Sequence, residues 1–535
     1  MPADPPPSFK AGSLLTSTNL FLALIGSAIY HLFLNLIVPD TLPLALPEFW
    51  MFLASDIAIW TLALIPLIAI ARRHLAWYDP LALLSLMFFG MTCLFSLAYW
   101  LDPLFVRFFS SYDGFIFQDS TEANFLWRVV QSQVLHGVFW SIVLWTNRRR
   151  LVWTVPPTNP LYSQRAIWTG ALCIGLGLVG LFNYWTLGSF IGTLTGRLGL
   201  VEALPAAGRS WPLILVNIGV AALSLGLVGV LRSLNASRHR WLIDLAVPIA
   251  GVVAVVPNLW NAARADALFA LITVFVVSGQ FGLRLRKSTW LLVLVIGTFL
   301  FVTMTVLRGN PELPQDPGEV IDQLFSGQLG RDFFRRPGAN AGNLLAVDRV
   351  SVMAMAFEYQ KDPSKGFFYG ESLAAGPINM VVYGLSRLGG IGPGSLIDPL
   401  LGVRKNVLLT AAERLNLWRY GRLVFGAVPP SIPGEFYLQF GVPSLVLLSL
   451  VYGMMFARVR KGLARTRSLI VRWIGIATLI TLVKLTAADT SQFYGLVLYV
   501  VVPVGVVYMG VSAILSPRRT LRPAPEPLVS QRNSA

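Results

Sequence analysis

Seven arginines stand in polar stretches between long apolar runs: Arg197, Arg209, Arg264, Arg331, Arg335, Arg336 and Arg349. A guanidinium stays charged and offers paired planar donors, the geometry that a phosphate or diphosphate accepts. Arg264 lies in NAARADAL, a tight turn with Asp266 close by. Pairing with carboxylates or lipid phosphates is the competing reading of each arginine, and the residues alone leave both open. A second element is PPSIPGEFYLQFG, residues 429–441. Pro-Gly before a long apolar run marks the sharp start of a helix, which puts Glu435 in a first turn at the edge of that run. The helix dipole favours a carboxylate there by about 0.3–1 kcal/mol, and partial burial suits it to proton transfer. The alternative is a plain N-terminal charge on a helix. Tyr437 is a candidate substrate contact, though its place suits an interfacial aromatic anchor better.

Polar residues within the apolar runs are few. Arg128, Gln131, Gln133 and His136 recur at spacings of helical type and would line a polar cavity, and Asp56 is similar. His31 lies deep in an apolar run and reads as a packed, hydrogen-bonded histidine, while His74 and His239 fall in turns. No glycine-rich phosphate loop, serine–histidine–acid set, zinc spacing or Asp-x-Asp pair stands beside the arginines, so neither metal nor cofactor is expected.

The elements that must position these residues are set by composition. Hydrophobic residues make up 55% of the 535 and charged residues 13%, and the mean hydropathy is +0.65. A soluble domain carries roughly 25% charged residues, so the chain reads as an all-α polytopic membrane protein with about twelve transmembrane helices. The expected spans are 15–39, 50–71, 79–100, 124–146, 166–187, 212–231, 242–259, 266–283, 289–307, 433–456, 472–487 and 493–514. The net charge of +16 could suggest nucleic acid, but its clusters fall between spans, as at Arg72-Arg73 and Arg148-Arg149-Arg150. That is a positive-inside pattern, and nucleic acid is not an expected partner. With both termini cytoplasmic, cytoplasmic segments hold 23 of the 42 Lys and Arg residues, counting Arg472 at the inner end of the span 472–487, and the short outer loops four.

The organisation expected is a cytoplasmic tail (1–14), helices 1–9 (15–307), one large periplasmic loop (308–432), helices 10–12 (433–515) and a disordered cytoplasmic tail (516–535). The loop's 13 basic and 11 acidic residues are nearly balanced, and its apolar stretches 344–357 and 373–386 read as short helices. A long structured loop on one side is usually functional.

This layout resembles the Wzy-type polymerases of lipid-linked oligosaccharide repeat units, the O-antigen polymerase family. Beside the layout, three motifs carry the likeness: Asp348-Arg349 followed by FFYGESL at 367–373, the SIPGEFYLQFG element at 431–441, and two Arg-x10-Gly spacings, Arg197 to Gly208 and Arg331 to Gly342. The resemblance implies a membrane glycosyltransferase-C fold in the bacterial inner membrane. Its substrate would be undecaprenyl-diphosphate-linked oligosaccharide, and a separate chain-length regulator is implied as a partner beside the lipid bilayer. Under it, Arg264 and Arg349 lead as ligands of the diphosphate leaving group, with Arg264 catalytic, and Arg197, Arg209 and Arg331 follow. Glu435 would be the base that accepts the proton of the attacking sugar hydroxyl, and Tyr437 a substrate contact.

Two other readings stay open. An O-antigen ligase has a related layout but typically a histidine in its periplasmic loop, and residues 308–432 contain none. A lipid-linked oligosaccharide transporter would show charged residues through its central helices and lack a large one-sided loop.

Overall fold

A backbone in hydrocarbon must satisfy its own hydrogen bonds, which restricts apolar runs of this length to helices or closed barrels. The computed structural model describes residues 13–37, 42–101, 122–151, 153, 160–182, 356–388, 408–420, 430–466, 469–486, 490, 493–494 and 502–515, with scattered positions between 219 and 328. Among the described residues there are helices and no strand; one isolated bridge joins Ser13 to Arg149. The described part of the chain is therefore mostly helical, as the lengths of its apolar runs lead one to expect.

Helix α1 spans Ser17–Ile37, α2 Pro47–Ala71, α3 Pro80–Phe88, α4 Leu94–Leu101, α5 Glu122–Thr146 and α6 Pro160–Phe182. After the large expected loop begins come α7 (Glu371–Leu388), α8 (Ala411–Tyr420), α9 (Ser431–Phe440), α10 (Val442–Arg465), α11 (Leu469–Leu485) and α12 (Val502–Leu515). Three of these, α1, α2 and α10, are long and apolar enough to cross a membrane. Their 21 to 25 residues reach about 32–38 Å at 1.5 Å per residue, enough for a hydrocarbon core of about 30 Å.

The distribution of side chains supports that reading. Many exposed positions on α1 and on the first part of α10 are large and apolar, including Phe21, Leu32, Leu36, Leu447 and Val451, whereas Asn19, His31, Asp56 and Gln133 are buried. Apolar outside and polar inside is costly in water and suits lipid.

In the bundle α2 packs against α1 and α5, and α10 also packs against α5. Short α9 fits against both α10 and α5, α11 lies on α10 and α3, and α12 lies on α6. Between α3 and α4 the helix passes through one wide turn, Phe89–Cys93, so that 80–101 is a single helical rod. Asp79 caps it by accepting from Leu81 N at 3.0 Å, with Pro80 at the first helical position. The same carboxylate accepts from Nε and Nη2 of buried Arg460 on α10, each at 2.6 Å.

Two expectations need correction. The run expected to cross at 433–456 is two helices, because Gly441 has φ +73° and ψ −145°, a backbone only glycine adopts readily. The span is therefore Val442–Arg465, and Glu435 belongs to a separate ten-residue helix. Since α9 begins at Ser431, Glu435 sits beyond its first turn, and the dipole argument for it falls. The expected loop helix over 373–386 is α7, and of 344–357 only the last two residues are described. The expected spans between 212 and 307, apart from scattered positions, and the tails 1–12 and 516–535 lie outside the described residues.

The described part of the expected loop shares a core with α9, in which Ala356, Tyr359, Phe368, Ala411 and Leu415 are buried together with Leu438. Thr410 and Glu413 close a capping box on α8: Thr410 N donates to Glu413 Oε2 at 2.8 Å and Glu413 N to Thr410 Oγ1 at 3.3 Å.

Candidate functional site

The FFYGESL turn and the SIPGEFYLQFG helix are bonded to one another. Phe368 N donates to Leu438 O at 2.9 Å and Tyr369 N to Gln439 O at 3.3 Å, so the turn extends the open C-terminal end of α9. Gly370 N donates to the Gln439 side chain at 2.8 Å. The turn is tight enough to put Tyr369 and Gly370 at φ 50° and 84°, and Tyr369 is left exposed. It then runs straight into α7, whose second residue is Ser372.

Glu435 lies at the centre of this junction, 0% exposed. Its Oε1 accepts from Ser372 Oγ at 3.0 Å and from Thr490 Oγ1 at 2.9 Å, and its Oε2 accepts from Thr490 N at 2.7 Å. Gln439 sits one turn along α9; its Nε2 donates to Ser372 Oγ at 2.7 Å and to the Glu435 carbonyl at 3.1 Å. One carboxylate thus gathers the start of α7, the middle of α9 and the segment before α12. Three donors on one buried carboxylate hold it in a fixed orientation. To take a proton from a bound hydroxyl, one of those donors would have to give way to the substrate.

Around the junction the packing is aromatic and ionic. Tyr437 is half-buried with its ring 4.6 Å from that of Phe357, which makes it a packing contact of the loop core. Arg414 of α8 pairs with Glu371 at the start of α7 and lies over the Phe368 ring at 5.1 Å. Asp362 opens the turn that leads into FFYGESL. Hydrogen bonds from Ser364 Oγ and Trp418 Nε1, then from Ser364 N, hold its carboxyl below the usual aspartate range. Burial pushes the Tyr359 phenol above its ordinary value.

The expected polar cavity along α5 is not one cavity. Arg128 pairs with Glu358 in the helical stretch 356–361, while Gln133 turns to Asp56 on α2 at 3.0 Å. His136 bonds the Ser132 carbonyl and faces the Phe88 ring on α3. Helical spacing brings side chains to related faces, but the neighbouring helices divide them. His31 is packed and hydrogen-bonded as expected, and its partner is Asp56.

Of the site residues expected, Glu435 and Tyr437 are placed; Arg264, Arg349, Arg197, Arg209 and Arg331 lie outside the described residues. Ser372, Gln439 and Thr490 were missed. The first two stand inside the quoted motifs, and the glutamine one turn after Glu435 was the available signal. Nothing marks Thr490, whose role arises from chain packing alone. No family model matches the chain, and no curated protein or solved structure does.

Proposed function

We propose that the chain is a membrane glycosyltransferase that polymerises undecaprenyl-diphosphate-linked oligosaccharide repeat units at the periplasmic face of the bacterial inner membrane. In this reading some twelve helices cross the membrane, both termini are cytoplasmic, the fold is of the glycosyltransferase-C type, and 308–432 is the periplasmic loop. One observation carries the reading: two of the motifs behind the resemblance, 367–373 and 431–441, meet around buried Glu435.

The reaction breaks the bond between the growing chain's reducing-end carbon and its diphosphate. It forms a bond from that carbon to a hydroxyl at the non-reducing end of a new lipid-linked repeat. Undecaprenyl diphosphate leaves with the bonding electrons, and the hydroxyl proton passes to a base. Glu435 is the candidate base, once a hydroxyl displaces Ser372 or Thr490. Arg264 and Arg349 are the candidate ligands of the leaving diphosphate, with Arg197, Arg209 and Arg331 behind them. Stabilising the charge that develops there is where such catalysis gains most. No metal or cofactor enters the scheme.

The test is deletion of the gene in its host, complementation with wild type, Arg264→Ala or Glu435→Ala, and electrophoresis of the surface polysaccharide. A polymerase predicts collapse of a long ladder to a single repeat, unrestored by either variant at normal protein level. Loss of every capped species with lipid-linked polymer accumulating would point to the ligase. An unchanged profile would remove both and bring a transporter forward.

A further inference from the structure

His31 on α1 has both ring nitrogens engaged inside the bundle. Nδ1 lies 2.7 Å from the Ser27 carbonyl oxygen, which can only accept, so Nδ1 bears a hydrogen. Nε2 lies 2.9 Å from Oδ2 of Asp56 on α2. A neutral ring with its hydrogen on Nδ1 would set a bare nitrogen lone pair against the carboxylate's own. That contact is repulsive, so a second proton lies between Nε2 and Oδ2.

The remaining partners of Asp56 decide where that proton resides. Trp100 Nε1 donates to Oδ2 at 2.9 Å and Gln133 Nε2 to Oδ1 at 3.0 Å. Ser55 Oγ donates to Gln133 Oε1, which turns that amide's nitrogen toward Asp56. Two N–H dipoles therefore point at the aspartate oxygens, and they stand in for the water a carboxylate would have outside. An imidazolium here also finds an acceptor for each of its two N–H groups.

We infer that His31 and Asp56 form an imidazolium–carboxylate ion pair enclosed among α1, α2, α4 and α5, an intramembrane site that holds one proton. The inference goes beyond the glycosyltransferase reading and does not rest on it. The pair is neutral as a whole, which is the form in which charges persist away from water. Other titratable or charged groups on the surrounding elements are few: Tyr30, Glu48, Cys93, Tyr99, Glu122, Arg128 and His136. Tyr30 meets the His31 ring edge-on at 4.8 Å, and Arg128 is paired with Glu358. Among the described residues, His31, Trp100 and Gln133 are the side chains bonded to Asp56.

The full chain, labelled with 15N-histidine and 13C-aspartate and held in lipid nanodiscs at neutral pH, tests this by solid-state NMR. Of the four histidines, one should show both ring nitrogens protonated and a short-range coupling to an ionised aspartate carboxyl carbon. His31→Gln should remove that signal. Asp56→Asn should convert it to a neutral ring with its hydrogen on Nδ1. Should either variant fail to fold, the wild-type coupling decides by itself. A neutral histidine against a protonated aspartic acid would overturn the ion pair, as would the absence of any doubly protonated ring coupled to aspartate.

Discussion

Ser372 and Glu435, 63 residues apart in the chain, share a hydrogen bond of 3.0 Å in a fully buried junction. The same carboxylate holds the backbone and hydroxyl of Thr490. Glu435→Ala would leave the buried Ser372 hydroxyl and the part-buried backbone and hydroxyl of Thr490 without their acceptor, at about 1–3 kcal/mol for a fully buried donor and less for the part-buried ones. Ser372→Ala removes one donor, and Gln439 Nε2 keeps its bond to the Glu435 carbonyl. Thermal unfolding in detergent should therefore rank Glu435→Ala well below Ser372→Ala, with a gap of about 2 kcal/mol or more. Equal melting points would show that the junction is not held by this carboxylate.

That junction also marks where sequence reading succeeds and where it stops. Pro-Gly ahead of an apolar run announces a helix near 433, and α9 is there. The break at Gly441 is hidden because apolar residues run on through Val442 into α10, and periodicity cannot see one φ angle. Composition, with 55% hydrophobic and 13% charged residues, points to apolar membrane-type elements, and the lengths of the apolar runs point to helices. It cannot reveal that Glu435 meets Thr490, or His31 meets Asp56, because those pairings depend on which helices become neighbours. The FFYGESL turn reads as a turn; its attachment to the end of α9 is a tertiary fact.

Asp79 and Arg460 make the second strong prediction. The aspartate caps α3, accepts from Trp153 at 3.1 Å and from Nε and Nη2 of the guanidinium, while both side chains are about 2% exposed. Arg460→Ala strands a buried carboxylate and should cost about 3–5 kcal/mol. Asp79→Asn in that background keeps an oxygen for the cap and removes the stranded charge. The double variant should then unfold at a higher temperature than Arg460→Ala alone. A double variant that is less stable, with the two costs simply adding, would refute coupling between the residues.

Gly441 and Gly462 should respond to alanine with opposite signs. At Gly441 an added Cβ meets the Phe367 ring at an ordinary 3.6 Å, so crowding is not the obstacle. Its φ of +73° is, and alanine there should cost on the order of 1–3 kcal/mol. Gly462 lies within α10 and an added Cβ meets nothing within 4 Å, so alanine should stabilise by roughly 0.5–1 kcal/mol. Melting curves of the two single variants read both signs directly. A harmless Gly441→Ala would mean that α9 and α10 are one continuous helix.

The turn before FFYGESL should carry an acid-sensitive contribution from Asp362. Its carboxyl accepts from Ser364 Oγ at 2.6 Å, Trp418 Nε1 at 3.0 Å and Ser364 N at 2.9 Å. These bonds favour the ionised form, so the folded pKa lies below the ordinary 3.8. A depressed folded value stabilises above the unfolded pKa and loses that contribution as pH falls through the folded one. Wild type should therefore melt above Asp362→Asn at neutral pH, and the difference should shrink as pH drops below about 3.8. Asparagine cannot titrate, so its own curve lacks this step. Because the residue is only partly buried, the step is a small one, read as a converging pair of melting curves. Curves that stay parallel down to the acid limit would mean that Trp418 and Ser364 do not hold the ionised form.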